Sequence, residues 1–328
     1  MTIAVRAGLA AALAFAAATA HAQEKMRVTL QLPLTSHLGE NLQLFEQEVE
    51  ARTDGAIDVE IYDSATLYTD KEVPQAVGSG AIEAGVASLT RYVGDVPAVD
   101  VFYMPFLFNT EEKVRAAVAE GSPVREALEE AVAETGGEIL YWQAYGGAVM
   151  LSNGGPIRTP ADLEGKKVRV FGKTLGDFVE AAGGAPTLIS GSEQYLAYQR
   201  GTVDVGMTGV SGVKSRKLWE VMDTITVTNH ADIEFVVVVN SDWWNGLDDE
   251  TRGHVEAAAA VAQEDVRDRM SEIEAEAYAA AEENGMTVVE LTDDELEAWR
   301  AVSQPVFDGY RESAGELGER VLSAAEGL

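Results

Sequence analysis

From Met26 to Leu32 the chain alternates apolar and polar side chains, the period of two that turns one face of a strand into a core. Leu42, Phe45 and Val49 then recur at helical spacing within Gly39–Arg52, and after Gly55 the period returns to two over Ile57–Tyr62. The spacing predicts a strand–helix–strand unit. Further helices are predicted over Lys71–Val77, Thr110–Ala119 and Pro123–Glu134, with a short strand at Gly85–Ala87, an extended segment at Val101–Met104 and a strand at Ile139–Gln143. A second series begins at Ala148, with strands at Ala148–Leu151, Val168–Phe171, Thr187–Ile189, Val203–Met207 and Phe235–Val239 and helices between them. Alternating strands and helices with short connections mark an α/β fold, and two such series imply two lobes. Over Asp248–Asn284, Val255, Ala258, Ala262, Val266, Met270, Ile273 and Ala277 return every three or four residues, which predicts one long helix. A last strand is predicted at Val288–Val289, with more helices after it.

The first residues change the picture of where such a fold works. Arg6, the apolar run from Ala7 to Ala18 and the small residues around His21 read as an export signal over residues 1–22, cleaved after Ala22. No later stretch is apolar for the length of a membrane span, so a chain released outside the inner membrane, in the periplasm, without direct membrane insertion, is expected. With no cysteine, neither disulfides nor thiolate metal sites are available. Lys and Arg number 24 against 55 Asp and Glu, a formal charge of −31. A field of that sign repels phosphate backbones, which argues against nucleic acid as a partner. The shortage of Lys suits an acidic surface kept hydrated in concentrated salt.

Catalytic and nucleotide motifs fail residue by residue. A phosphate loop ending Gly172-Lys173-Thr174 needs glycine where Lys167 stands, and a dinucleotide fingerprint starting at Gly78 needs glycine where Glu83 stands. His37, His230 and His254 have no metal-binding spacing, and His37 and His230 are expected to satisfy hydrogen bonds at the lobe edges. Ser211 lacks the second glycine of a nucleophile elbow. No nucleophile, base and orienting group assemble in sequence, so no enzyme, cofactor or metal is expected, and a secreted enzyme on a two-lobed scaffold stands as the alternative class.

Arg169 is the residue that demands an account, a permanent cation inside the strand Lys167-Val168-Arg169-Val170. Its rigid fork of donors matches a carboxylate, which could come from a solute or from Asp162 or Asp204 of the chain itself. Around it stand Pro156-Ile157, Thr159-Pro160-Ala161-Asp162-Leu163, Gly184-Ala185-Pro186, Ser192-Glu193-Gln194-Tyr195-Leu196-Ala197 and Gln199-Arg200-Gly201-Thr202-Val203-Asp204. This order resembles the solute-binding subunits of tripartite ATP-independent periplasmic (TRAP) transporters, the DctP-like group.

The resemblance implies a two-lobed periplasmic-binding-protein fold with crossover strands and a long helix spanning both lobes. Lobe I would hold residues 23–146 and 235–270, and lobe II residues 147–234 and 271–328. It implies that Arg169 grips a ligand carboxylate, with Gln31, Asp70, Ser88 and Thr208 at further pocket positions. Two departures stand out: Thr208 where many members have Asn, and Ala148 where sugar-acid binders have a second Arg. The anion-holding apparatus is therefore expected to be one strong donor plus a hydroxyl. Tyr68, Tyr92, Trp142, Tyr145 and Phe171 lie close enough in sequence to form walls. Asp70 and Glu234 could receive an ammonium or sugar hydroxyls, so a zwitterion, an amino alcohol or a neutral polar solute competes with a carboxylate. The implied partners are that small solute and the membrane permease subunits, and a monomer is expected.

Overall fold

A computed structural model describes residues 23–328. The export signal expected over residues 1–22 lies outside them. Ten strands form one sheet: β1 Glu24–Thr29, β2 Ile57–Tyr62, β3 Ala84–Ser88, β4 Gly137–Ser152, β5 Lys167–Val170, β6 Ala185–Leu188, β7 Val205–Gly209, β8 Thr224–Val227, β9 Asp232–Asn240 and β10 Thr287–Glu290. The main path runs β2-β1-β3-β9-β4-β7-β5-β6, with β8 pairing β4 and β10 pairing β8. β1 is parallel to β2 and β3, and β5 is parallel to β6 and β7. Each parallel set is one α/β lobe.

Two long strands join the sets. The first part of β4 runs antiparallel to β9, which pairs β3, whereas its second part runs antiparallel to β7 and β8. The sequence pattern predicts two strands here, Ile139–Gln143 and Ala148–Leu151. The chain instead passes through with a register shift between Ala144 and Gly146, and Gly146 takes φ 93°, which a side chain resists and glycine does not. A Cβ at Gly146 would also collide with the Glu274 carboxylate. Bulge and glycine together bend one continuous strand from lobe to lobe.

The long helix predicted over Asp248–Asn284 is divided at Arg269 into Asp249–Asp268 and Met270–Glu283. The first piece packs on the helix His37–Arg52 and on β4, the second on the helix Val210–Ser215 and on β10. Of the segment predicted extended, Val101–Tyr103 instead ends a 3-10 helix, Pro97–Tyr103, started by Pro97 and buried from Ala98 onward, and only Met104 is extended. The last helical stretch, Gln304–Glu326, touches both halves, packing on the helix Lys173–Ala181 as well as on the first lobe. It packs on Pro97–Tyr103 and on Pro123–Ala133, and the Tyr310 hydroxyl donates to the Ala98 carbonyl at 2.9 Å. β8 went unread because Thr224-Ile225-Thr226-Val227 is short and wholly buried, so it shows no exposed alternate face.

Two histidines are locked into this framework as hydrogen-bonding groups. His37 Nε2 lies 3.2 Å from the Ala144 carbonyl, and His230 Nδ1 lies 2.7 Å from Thr228 Oγ1. Burial lowers their pKa values from the ordinary 6.5, to about 4 for His37 and about 3 for His230. Each is therefore neutral in the fold where it would be charged in the unfolded chain. Their contribution to stability is complete above pH 6.5 and is lost as pH falls toward those lower values. Thermal unfolding of the parent should shift downward between neutral pH and about pH 4.5. The shift should be smaller in His230→Gln, and equal shifts would show that this site does not drive acid destabilisation.

Candidate functional site

In β5 the side chains of Val168 and Val170 enter the core while Arg169 points the other way, and all three are buried. Nε of Arg169 donates to the Ile189 carbonyl at 3.0 Å, Nη1 donates to the Met207 carbonyl, and the guanidinium stands 5.3 Å from the centre of the Phe171 ring. Two neutral carbonyls thus aim the fork without discharging it. The acids that could have neutralised it are employed elsewhere: Asp162 accepts from the amides of Arg158 and Thr159 at 2.9 and 2.8 Å, and Asp204 from the amide of Lys167 at 2.8 Å. Burial is the leading influence on this group and disfavours its charged form, yet a guanidinium keeps its proton at neutral pH. The result is a desolvated cation without a carboxylate partner among the described residues.

Arg169 faces a narrow cavity between the lobes. Gln31, Asp70, Ser88, Tyr145, Phe171 and Thr208 line it with Arg169, so seven expected residues converge from segments far apart in the chain. Gln31 and Asp70 follow β1 and β2, Ser88 ends β3, and Arg169 and Thr208 lie in the last halves of β5 and β7. They gather at the carboxyl ends of parallel strands, where α/β sheets open their crevices.

Two cations missed in the sequence also line this cavity, Arg91 and Arg216. Three guanidiniums therefore face one carboxylate, Asp70, so the expectation of a single strong donor is corrected. Asp70 is not available for an ammonium or a sugar hydroxyl in the way expected. It accepts from Arg91 Nε at 2.6 Å and from the Ser190 hydroxyl, with both partners of the ion pair buried. The Ser190 bond crosses the cleft, as does an exposed pair of Lys71 and Glu193 at 3.3 Å. The signal for Arg91 and Arg216 was their place shortly after strand-end residues already singled out, Ser88 and Thr208.

Glu234 and Tyr68 are not brought into the cavity. Ile233 and Phe235 line it, so the alternation of β9 turns Glu234 to the opposite face, where it forms a two-pronged ion pair with Arg267 at 3.0 and 2.8 Å. Tyr68 stands outside the lining, its carbonyl accepting from Thr29 Oγ1 at 3.1 Å. Tyr92 is buried in the core, and Trp142 donates its indole N–H to Glu129 at 2.8 Å. A larger hollow lies on that opposite face, lined by Asp232, Arg267 and Glu274 among others. Its one guanidinium is consumed by Glu234, so volume there comes without an unpaired cation.

Two lobes crossed by β4 and β9, with an anion-receptive cavity between them, are the architecture of a periplasmic-type solute receptor. The chain belongs to the DctP family, bacterial extracellular solute-binding protein family 7, whose model matches residues 30–313. It is 31% identical over 292 residues to the C4-dicarboxylate-binding periplasmic protein DctP of Rhodobacter capsulatus, covering 88% of this chain and 86% of that one. It is 26% identical over 286 residues to the ectoine-binding periplasmic protein TeaA of Halomonas elongata, covering 85% and 82%. Among solved structures, a TRAP periplasmic solute-binding protein of Roseobacter denitrificans with bound β-D-glucuronate superposes with a TM-score of 0.86 at 26% identity, over 92% of this chain and 99% of that one. Proteins of this family are solute-binding receptors and not enzymes. Among the described residues no helix is long and apolar enough to cross a membrane.

Gly212 tests how tightly the cavity wall is built. A Cβ there would collide with the Tyr145 hydroxyl and lie 2.9 Å from Thr208 Oγ1 and 3.0 Å from Arg216 Nη1, three groups of the lining. Alanine suits a helix better than glycine, so Gly212→Ala should leave the thermal midpoint near that of the parent. It should still weaken solute binding by displacing those groups. Unchanged affinity in a titration would mean that they do not contact the solute.

Proposed function

We propose that this protein is the periplasmic solute-binding subunit of a TRAP transporter, capturing a small carboxylate-bearing solute between its lobes and delivering it unchanged to the membrane permease. The observation that carries this reading is Arg169, a buried guanidinium aimed by two carbonyls and left without an acid of the chain. A buried cation is costly unless paired, and a carboxylate supplied by the solute completes it with two charge-assisted hydrogen bonds. Export of the chain, with cleavage after Ala22, belongs to the same reading.

The named ligands of the relatives fit this chemistry unequally. A C4-dicarboxylate and a glucuronate each bring a carboxylate that Arg169 can receive. A zwitterion such as the ectoine named for the Halomonas relative needs an acid for its cationic end, and the cavity's one carboxylate is already bonded to Arg91 and Ser190. Bonds from Asp70 and Lys71 across to Ser190 and Glu193 supply a physical basis for closure over the solute. Contacts made only with the lobes together let the solute shift the population toward the closed form.

Arg169→Ala should cost about 2 to 5 kcal/mol of binding energy, roughly thirty- to a few-thousand-fold in affinity for a carboxylate. Titration calorimetry of both proteins with an acid that stabilises the parent measures it. Equal dissociation constants would remove Arg169 as the anchor and the carboxylate reading with it.

A further inference from the structure

Among the described residues the fully buried carboxylates are Asp70, Asp100 and Glu234. Asp70 is paired with Arg91 and Glu234 with Arg267, whereas Asp100 forms no ion pair. Lys173, which acts on Asp100 through space, is bonded to Asp177 at 2.6 Å. A buried charge without a counter-ion is costly, so what answers Asp100 tells what it is for. Its Oδ2 accepts from the Thr174 amide at 3.2 Å. Thr174 is the second residue of the helix Lys173–Ala181, so the carboxylate sits at the positive end of that helix.

The contact joins the two lobes. Asp100 belongs to Pro97–Tyr103, after β3 of the first lobe, and the helix Lys173–Ala181 follows β5 of the second. That helix cannot cap itself, because its N-cap position is Gly172, which has no side chain to accept from the first amides. Gly172 is extended, with φ −148° and ψ 161°, so its own backbone does not call for glycine. The opposite lobe does: a Cβ there would lie 2.6 Å from Oγ1 of Thr90 and 3.3 Å from the two carbons beside it. Thr90 is buried in the turn Leu89–Tyr92, also after β3. One lobe thus presents bare backbone, and the other returns the capping carboxylate. The junction abuts the solute cavity, since Phe171 lines that cavity and meets Tyr103 edge-on with ring centres 5.8 Å apart. Tyr103 in turn is hydrogen-bonded to Ser88, another lining residue, at 3.0 Å. Asp100 itself stands outside the lining.

We propose that Asp100 is a positioning residue for the closed state, a carboxylate of the first lobe that caps the helix behind Phe171 in the second and so holds the lobes together over the solute without touching it. This rests on the reading that the solute is captured between the lobes, and adds a contact that sets how long the solute stays. Opening parts Asp100 from the helix and leaves the Thr174 amide to water. The cap is therefore complete only in the closed form and biases the population toward it. The solute enters before the contact forms, so release carries the effect and capture does not.

The chain has no cysteine, so Leu67→Cys and Leu196→Cys, both exposed and on opposite lobes, carry a pair of labels with no competing site. Their separation reports closure, and stopped flow with succinate as the probe gives capture and release rates. Asp100→Ala should raise the release rate about 2- to 30-fold and leave the capture rate within about twofold. Asp100→Asn keeps an acceptor for Thr174 and should restore the parental release rate. Gly172→Ala, compatible with its own backbone but not with Thr90, should speed release from the opposite lobe, and it decides the matter if Asp100→Ala does not fold. Parental release in Asp100→Ala, or an Asp100→Asn variant as fast as Asp100→Ala, overturns the proposal. A role in folding alone would lower the unfolding midpoint and leave release where it was. If the parent takes up no succinate, the labels without solute decide: a longer separation in Asp100→Ala supports the contact and an identical one overturns it. Arg169→Ala separates the two readings. Parental binding there with faster release in Asp100→Ala sinks the carboxylate anchor alone, whereas weak binding there with parental release in Asp100→Ala sinks the closure contact alone.

Discussion

The desolvation of one guanidinium organises the cleft. Removing Arg169 from water costs several kcal/mol that its bonds to two neutral carbonyls cannot return, because they orient the charge without cancelling it. The fold could have cancelled it with Asp162 or Asp204 and instead commits both to backbone amides. The arrangement makes sense when the missing counter-charge arrives from outside and when closing the lobes strengthens its grip. The crossing strands and the glycines of the wall keep that space open.

The overall charge works against this local sign. A chain at −31 repels an approaching anion at long range, whereas the cavity attracts it only at short range. Salt resolves the conflict, since screening over about 8 to 10 Å at ordinary ionic strength removes the distant repulsion and leaves buried pairs largely intact. The acidic composition and the basic pocket are thus compatible where dissolved ions are plentiful.

Much of the first lobe was legible because its elements keep a clean period. Ile57–Tyr62 alternates with one side buried, and Gly39–Arg52 keeps its apolar stripe on one face. Arg169 was legible for a different reason, as a charge where the pattern demands none. Failures came where tertiary context overrules local grammar. The strands read at Ile139–Gln143 and Ala148–Leu151 are one, carried through by a bulge at Ala144–Gly146, and Arg269 divides a helix whose apolar stripe runs on without interruption. Side-chain partners were the least legible. Nothing near Glu234 announces Arg267, 33 residues on, and without that partner Glu234 passes for a pocket acid. Arg91 and Arg216 went unread because the residues that hold them, Asp70 and Tyr145, come from other segments.

The unbroken course of β4 and β9 has a mechanical consequence. Proteins whose halves are tied by slack loops can lose one half while the other survives. Here the ladder of backbone bonds runs from β2 to β6 without a gap, and each half supplies pairing partners to strands anchored in its neighbour. Melting either half therefore frays the other, and heat should take the molecule apart in a single calorimetric peak. The same continuity keeps the two halves one body, tied by strands rather than strung on loops.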